Sequence, residues 1–171
     1  MTISENTDST FVCLADYHDA AHAKAVVQLL DTYARDPMGG GEGLNDFAKA
    51  HLISALAARP QAFSILAFVD DSQTQAIGLI NCIEGFSTFK CKPLINVHDV
   101  VVLAEHRGKR IAQKMLDLVC QIALQRGACK LTLEVLEGNL GAVKSYQRFG
   151  FSNYELDPAM GHAQFLQKWL P

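Results

Sequence analysis

The sequence predicts an α+β fold, a three-layer α/β/α sandwich with a central mixed sheet. Three observations predict it. Apolar residues between positions 19 and 33 recur at helical three- and four-residue steps, and a second helix is expected before Arg59-Pro60. Those between 62 and 103 form strand-length runs rich in β-branched side chains, and beyond 107 helical and strand-like segments alternate. A sheet with amphipathic helices before and after it in sequence buries both its faces only if helices cover each one.

Each element carries its own signal. Residues 11–17 read as a short first strand, and 19–33 as a helix with Val26, Leu29, Leu30 and Tyr33 on one stripe. Asp36-Pro37-Met38-Gly39-Gly40-Gly41 ends that helix, because proline removes a donor and glycine costs helix entropy. A second helix is expected over 45–58, stopped at Arg59-Pro60. Strands over 62–69 and 75–86 flank the hairpin turn Asp70-Asp71-Ser72-Gln73, and 94–103 is a third. Residues 107–126 form a long helix with Ile111, Met115, Leu118 and Ile122 along one face and Gly127 at its end. A strand over 130–136 precedes a helix over 139–149, capped by Asn139 and stopped by Gly150. Residues 151–156 and 163–170 are expected to close the sheet as two further strands.

The 171 residues suit one domain, with a polar, acidic tail over 1–10 and the domain over 11–171. An apolar share of 49% supports a sizeable core. The net charge of −3, with no block of Lys or Arg, argues against a nucleic-acid partner. No apolar run approaches the ~20 residues that span a bilayer, so no membrane partner is expected. The N-terminus is the opposite of a secretory signal. Cys13, Cys82, Cys91, Cys120 and Cys129 are scattered, odd in number and without CxxC spacing. They read as small buried hydrophobes in a reducing compartment, which places the protein in the cytoplasm and predicts no metal site.

The most informative stretch is His98-Asp99-Val100-Val101-Val102-Leu103-Ala104-Glu105-His106-Arg107-Gly108-Lys109-Arg110-Ile111-Ala112. An apolar strand enters a short polar loop, and the loop opens a helix. A helix N-terminus carries unpaired N–H groups and partial positive charge, which together suit a pyrophosphate. Gly108 allows close backbone approach, and Arg107, Lys109 and Arg110 add formal charge. The plainer reading is a solvated basic helix start, although basic residues there oppose the helix dipole.

Here the sequence resembles the GNAT superfamily of N-acetyltransferases. Its coenzyme loop has the pattern Gln/Arg-x-x-Gly-x-Gly/Ala, and Arg107-Gly108-Lys109-Arg110-Ile111-Ala112 is similar, with Arg110 in place of the central glycine. Helical φ is negative and accepts a Cβ, so that replacement is expected to be tolerated. Asn139-Leu140-Gly141-Ala142-Val143-Lys144-Ser145-Tyr146-Gln147-Arg148-Phe149-Gly150-Phe151 resembles the later motif Asn-x-x-Ala-x-x-x-Tyr-x-x-x-Gly-Phe. The resemblance implies a GNAT-like acyl-CoA N-acyltransferase fold with a mostly antiparallel sheet. It also implies acetyl-CoA as cosubstrate, without a metal.

Carried residue by residue, the resemblance assigns the pantetheine arm to the backbone of Val100, Val101 and Val102. It assigns the pyrophosphate to the loop and helix start at Arg107, Gly108, Lys109, Arg110, Ile111, Ala112 and Gln113. Asn139, Ala142 and Tyr146 complete the expected coenzyme site.

Acetyl transfer to an amine needs a proton acceptor, a donor to the carbonyl oxygen and an acid for the leaving thiolate. The family's acid is the tyrosine that Tyr146 matches, against which stands a core tyrosine sharing a face with Ala142 and Phe149. His98 and Asp99 are polar groups in an apolar strand, expected to point to opposite faces. The layout of residues 79–107 resembles the diamine acetyltransferase branch, whose proposed base, an acidic residue, occupies the position of His98. A histidine can do that work near neutral pH. A satisfied buried histidine, Glu134 on the next strand, or a water chain are the alternatives.

The expected function is transfer of an acetyl group from acetyl-CoA to the amine of a small molecule. Asp36 and Glu42 in the first interhelical loop suit a cationic acceptor. A peptide or protein N-acetyltransferase and a non-catalytic acyl-CoA-binding module are the alternatives, and a homodimer is left open.

Overall fold

The computed structural model describes residues 10–154, 157, 159, 161 and 163–170. The tail expected over 1–10, apart from Thr10, lies outside the described residues. The chain divides into two compact units, Met1–Leu133 and Glu134–Pro171.

The first unit holds β1 (Phe11–Leu14), α1 (Ala20–Arg35), α2 (Asp46–Ala57), β2 (Ala62–Phe68), β3 (Ala76–Ser87), β4 (Lys92–Val102), α3 (Ile111–Gln125) and β5 (Leu131–Leu133). Five strands lie in the order β1-β2-β3-β4-β5, antiparallel from β1 to β4 and parallel between β4 and β5. Local chemistry starts the first two helices. The Asp19 carboxylate accepts from the His22 N–H at 2.8 Å, and the Asn45 side-chain oxygen accepts from the Ala48 N–H at 2.7 Å.

The two faces of the sheet are told apart by alternation along the strands. On one face α1 buries Ala25, Val26 and Leu29 against Leu66, Phe68, Leu79 and Val101. Burial of each Val or Leu side chain stabilises by about 1.5–3 kcal/mol. On the other face α3 buries Ile111, Met115, Leu116, Val119 and Ala123. Met115 comes so close to β3 that a Cβ on Gly78 would lie 2.9 Å from its Cε. Gly78 and Leu79 are successive strand residues, so α1 and α3 cover opposite faces. This is the expected mixed sheet with helices on both sides.

The second unit holds α4 (Leu140–Phe149), capped by the Asn139 side chain on the Ala142 N–H at 3.3 Å. It ends at Gly150, whose φ of 108° only glycine adopts readily.

Several expectations are corrected. The strand placed over 130–136 is confined to Leu131–Leu133, with Val135 and Leu136 exposed beyond it. Residues 151–154 and 163–170 form no strand; Glu155 and Leu156 of the first expected closing strand lie outside the described residues. In the latter stretch the exposed Phe165, Leu166, Trp169 and Leu170 recur as adjacent pairs four apart, which is not the period of two that a strand requires. The helix expected from Arg107 begins at Ile111, because residues 104–106 form a separate 3₁₀ turn. Cys91 and Cys129 are exposed rather than buried, since both sit in loops; Cys82 is buried, and Cys13 and Cys120 are half-buried.

Candidate functional site

The parallel pairing of β4 with β5 runs only from Ile95–Leu131 to Val97–Leu133. Beyond it, the β4 edge from His98 to Val102 is not paired to β5. At 3.3 Å per residue this edge is roughly 13 Å long. The Leu103 N–H donates to the Ile77 carbonyl at 3.0 Å, so by ladder alternation Val101 directs its backbone groups to β3. Val100 and Val102 therefore direct theirs to the open edge, where the Val102 carbonyl accepts from Arg107 Nε at 3.0 Å. Of the three valines expected to lend backbone groups, Val101 instead contributes a buried side chain beneath α1.

The loop that follows turns twice through left-handed backbone, at Gly108 (φ 81°) and at Arg110 (φ 59°, ψ 21°). Arg110 is the N-cap residue of α3, not its first helical residue. The expectation of a negative, helical φ there is therefore wrong: the position matched to a family glycine is one where glycine is favoured. Arg110 makes no side-chain cap, so the helix start at Ile111 and Ala112 offers N–H groups with no capping side chain. Nothing lies within 4 Å of a Cβ built on Gly108, and Arg107, Gly108, Lys109 and Arg110 are all exposed. This helix start fits a pyrophosphate by its backbone donors and flanking cations.

Arg107 also reaches Asp36, its Nη2 donating to Oδ2 at 3.2 Å. Asp36 is further bonded by the Met38 N–H at 2.9 Å. That backbone bond first, and the Arg107 guanidinium second, hold the Asp36 carboxyl below the usual carboxylate range. Asp36, expected to attract a cationic acceptor, thus already has a cation.

His98 departs from expectation in a different way. The β3–β4 register steps from Asn81–Asp99 to Cys82–Val97, so His98 is the extra residue of a β-bulge. Simple alternation fails there, and His98 is exposed rather than buried. Its Nδ1 lies 3.3 Å from Asn96 Oδ1, an acceptor, while Asn96 Nδ2 donates to Thr132 Oγ1 at 3.3 Å. Donation from Nδ1 leaves Nε2 with the lone pair.

Ser64, Asn81 and Asp99 are in register on β2, β3 and β4, two residues along from Leu66, Leu79 and Val101 and hence on the α1 face. Tyr17 OH lies 2.7 Å from Ser64 Oγ, Ser64 Oγ donates to Asn81 Oδ1 at 2.6 Å, and Asn81 Nδ2 donates to Asp99 Oδ2 at 2.9 Å. Ser64 spends its only proton on Asn81, so Tyr17 must donate to Ser64. Burial, partly opposed by the Ser64 bond, pushes the Tyr17 phenol up and keeps that donor protonated. In the sequence Asp99 stands out within an apolar strand, whereas Tyr17 does not, and Ser64 and Asn81 show only as a serine and an asparagine within apolar strand runs.

In the second unit, Tyr146 is half-buried and meets Phe151 edge-on at 5.9 Å between ring centroids. Phe149 stacks on the same Phe151 at 6.1 Å, and Asn139 and Ala142 share the cap at the head of α4. Glu134, expected on the strand, lies past the end of β5. Within the first unit a cleft of about 640 Å³ runs along α1 between Lys24, Thr32, Phe68 and Leu103, and none of the predicted site residues lines it.

The mixed sheet, its open β4 edge and the uncapped helix start together define the acyl-CoA N-acyltransferase fold. The chain belongs to the acetyltransferase (GNAT) family, which residues 23–151 match. It is 33% identical over 94 residues to the streptothricin acetyltransferase of Streptomyces lavendulae, a match covering 53% of this chain and 50% of that one. It is 35% identical over 66 residues to the thialysine N-epsilon-acetyltransferase of Bos taurus, covering 39% and 38%. These matches span half or less of the relatives' own lengths. The crystal structure of ribosomal-protein-alanine N-acetyltransferase from Brucella melitensis biovar Abortus 2308 superposes with a TM-score of 0.72 at 19% identity. That match covers 94% of this chain and 99% of the other, and the likeness is one of fold.

Proposed function

We propose that this protein is an acetyl-CoA-dependent N-acetyltransferase acting on the amine of a small molecule. One observation carries the reading: the uncapped start of α3, turned by Gly108 and Arg110, follows directly from a strand whose edge is open. Backbone donors at Ile111 and Ala112 suit a pyrophosphate, and the exposed Lys109 and Arg110 add charge around it. The edge groups of Val100 suit an amide-bearing pantetheine arm. When bound, acetyl-CoA supplies the thioester.

The remaining roles follow from the chemistry of the side chains. His98, with Nε2 as its lone-pair nitrogen, accepts the proton the amine gives up. The Tyr146 hydroxyl gives a proton to the departing sulfur. A small acceptor is supported by the two relatives whose names give streptothricin and thialysine as what they acetylate. The layout of residues 79–107 supports the diamine branch within that class.

Calorimetry with acetyl-CoA is expected to show one site per chain, with a rise in melting temperature by mass action. No heat and no thermal shift at millimolar coenzyme would sink the reading. Turnover on a pooled panel of small amines and peptides separates the acceptor classes. Turnover on peptides alone would favour the protein-acetylating alternative.

A further inference from the structure

We infer that Asp99 is the anionic anchor of the acceptor site, and that the Tyr17–Ser64–Asn81 row exists to hold its carboxylate there. The inference rests on the N-acetyltransferase reading above and deepens it, because it makes the acceptor a cationic amine.

The argument starts from cost. Ser64 is 0% exposed and Asn81 5%, both in strands where an aliphatic side chain would pack without any polar group to satisfy. All the donors in the row point one way, from Tyr17 through Ser64 and Asn81 to Asp99 Oδ2. The carboxylate sets that direction. It accepts only, so Asn81 must turn its NH₂ towards Asp99 and its carbonyl oxygen towards Ser64. Such a row fixes one carboxylate oxygen and does nothing to neutralise its charge.

Among the described residues that charge has no ion-pair partner. The ion pairs among the described residues are Arg35–Asp31, Lys49–Asp31, Arg107–Asp36 and Arg126–Glu84, and Asp99 is in none of them. Arg107, the first cation after β4 in sequence, is committed to Asp36 and the Val102 carbonyl. Asp99 lies near Tyr33 and Cys82, and its charge helps to keep both protonated. Asp99 itself is half-buried. A half-buried carboxylate with fixed geometry and no ion-pair partner among the described residues is what an ammonium group recognises.

Position supports the same conclusion. Asp99 immediately precedes Val100, the first residue whose backbone groups face the open β4 edge, and it adjoins the bulged His98. An ammonium held at Asp99 is therefore within a residue or two of both. Tyr33, half-buried on α1, lies near enough to the same carboxylate for its charge to favour the protonated phenol.

The experiment is a set of calorimetric titrations of the full chain, with and without saturating coenzyme A. The probes are 1,4-diaminobutane, n-butylamine and the neutral 1,4-butanediol. Wild type is expected to bind at least one of the amines tenfold or more tightly than the diol. Asp99→Asn, nearly isosteric, should lose tenfold or more of that amine affinity while coenzyme A affinity stays within twofold. Asp99→Glu, which restores the charge, should recover part of it. Tyr17→Phe removes only the first donor of the row and should weaken amine binding two- to fivefold, leaving the diol unaffected. Failure of wild type to prefer either amine over the diol, or amine affinity unchanged in Asp99→Asn, overturns the inference alone. Failure of coenzyme A to bind overturns the reading on which it rests.

Discussion

Arg107 ties two loops together: its Nη2 donates to Asp36 Oδ2 at 3.2 Å while its Nε donates to the Val102 carbonyl at 3.0 Å. The strand end, the turn into α3 and the loop after α1 are thereby fixed to one guanidinium. The pairing predicts an acid dependence with a definite sign. The folded-state pKa of Asp36 is depressed, by the Met38 N–H first and Arg107 second. Its contribution to stability is therefore present above the unfolded pKa and lost as pH falls through the folded one. A carboxyl NMR titration should find Asp36 below the usual aspartate range in wild type and nearer that range in Arg107→Met. An identical Asp36 midpoint in the two proteins would show that the pair contributes nothing.

Arg110→Gly should stabilise the protein. A non-glycine residue in left-handed backbone costs roughly 1–2 kcal/mol, and the added freedom of glycine in the unfolded chain returns about 0.4–1 kcal/mol of that. The net gain is about 0–1.6 kcal/mol, and each 1 kcal/mol raises the melting temperature by about 2–4 °C in a chain of this size. Coenzyme affinity should hold within tenfold if backbone donors carry the pyrophosphate. A lower melting temperature would show that the Arg110 side chain contributes more than its backbone costs.

The thiols should react in two classes. Cys91 and Cys129 are exposed, whereas burial pushes the Cys82 thiol up to about 12, with Asp99 adding to the rise and Arg126 opposing it. A thiol reagent at neutral pH should modify Cys91 and Cys129 first and reach Cys82 only on unfolding. Because the folded pKa is raised, the stability linked to Cys82 is complete below the unfolded value of about 8.5. It is lost as pH rises from there through about 12. Denaturant titrations of wild type and Cys82→Ala should therefore converge as pH is raised across that window. Rapid modification of Cys82 in the native protein would contradict its placement.

What the sequence reveals here depends on how local each cause is. The helix at Asn139 and its stop at Gly150 were legible because a cap and a left-handed terminus are decided within four residues. The strands β2, β3 and β4 were legible as apolar runs bounded by turn residues, which are local signals too. The exposure of His98 was not, because a bulge is a property of the register between two strands and neither strand shows it alone. Arg110 looked helical because pattern cannot separate the last loop residue from the first helical one. The polar row was hidden most completely, since positions 17, 64, 81 and 99 meet only when three strands and a loop are assembled.

His98→Ala tests the proton acceptor. With His98 as base, turnover at neutral pH should fall by about 10²-fold or more, and the acidic limb of the pH–rate profile should flatten. Because His98 is exposed and its side-chain contact among the described residues is the 3.3 Å one to Asn96, the melting temperature should change little. Unchanged turnover with an unchanged profile would hand the role to water or to another group.

Tyr146→Phe is the sharpest of these tests, because its two readings predict opposite results. The substitution removes one hydroxyl and keeps the ring, so the edge-on contact with Phe151 at 5.9 Å should survive. If the hydroxyl protonates the departing sulfur, its contribution is made chiefly in the transition state. The turnover rate should then fall by about 10²-fold or more, while coenzyme affinity, a ground-state property, changes little. If Tyr146 is instead a packing residue whose hydroxyl serves the fold, losing it costs about 0.5–1.5 kcal/mol of stability and leaves turnover largely intact. Measuring turnover, coenzyme affinity and melting temperature on this one variant therefore separates the two. Turnover within about threefold of wild type, together with a lower melting temperature, would remove Tyr146 from the chemistry and leave a water molecule to protonate the thiolate.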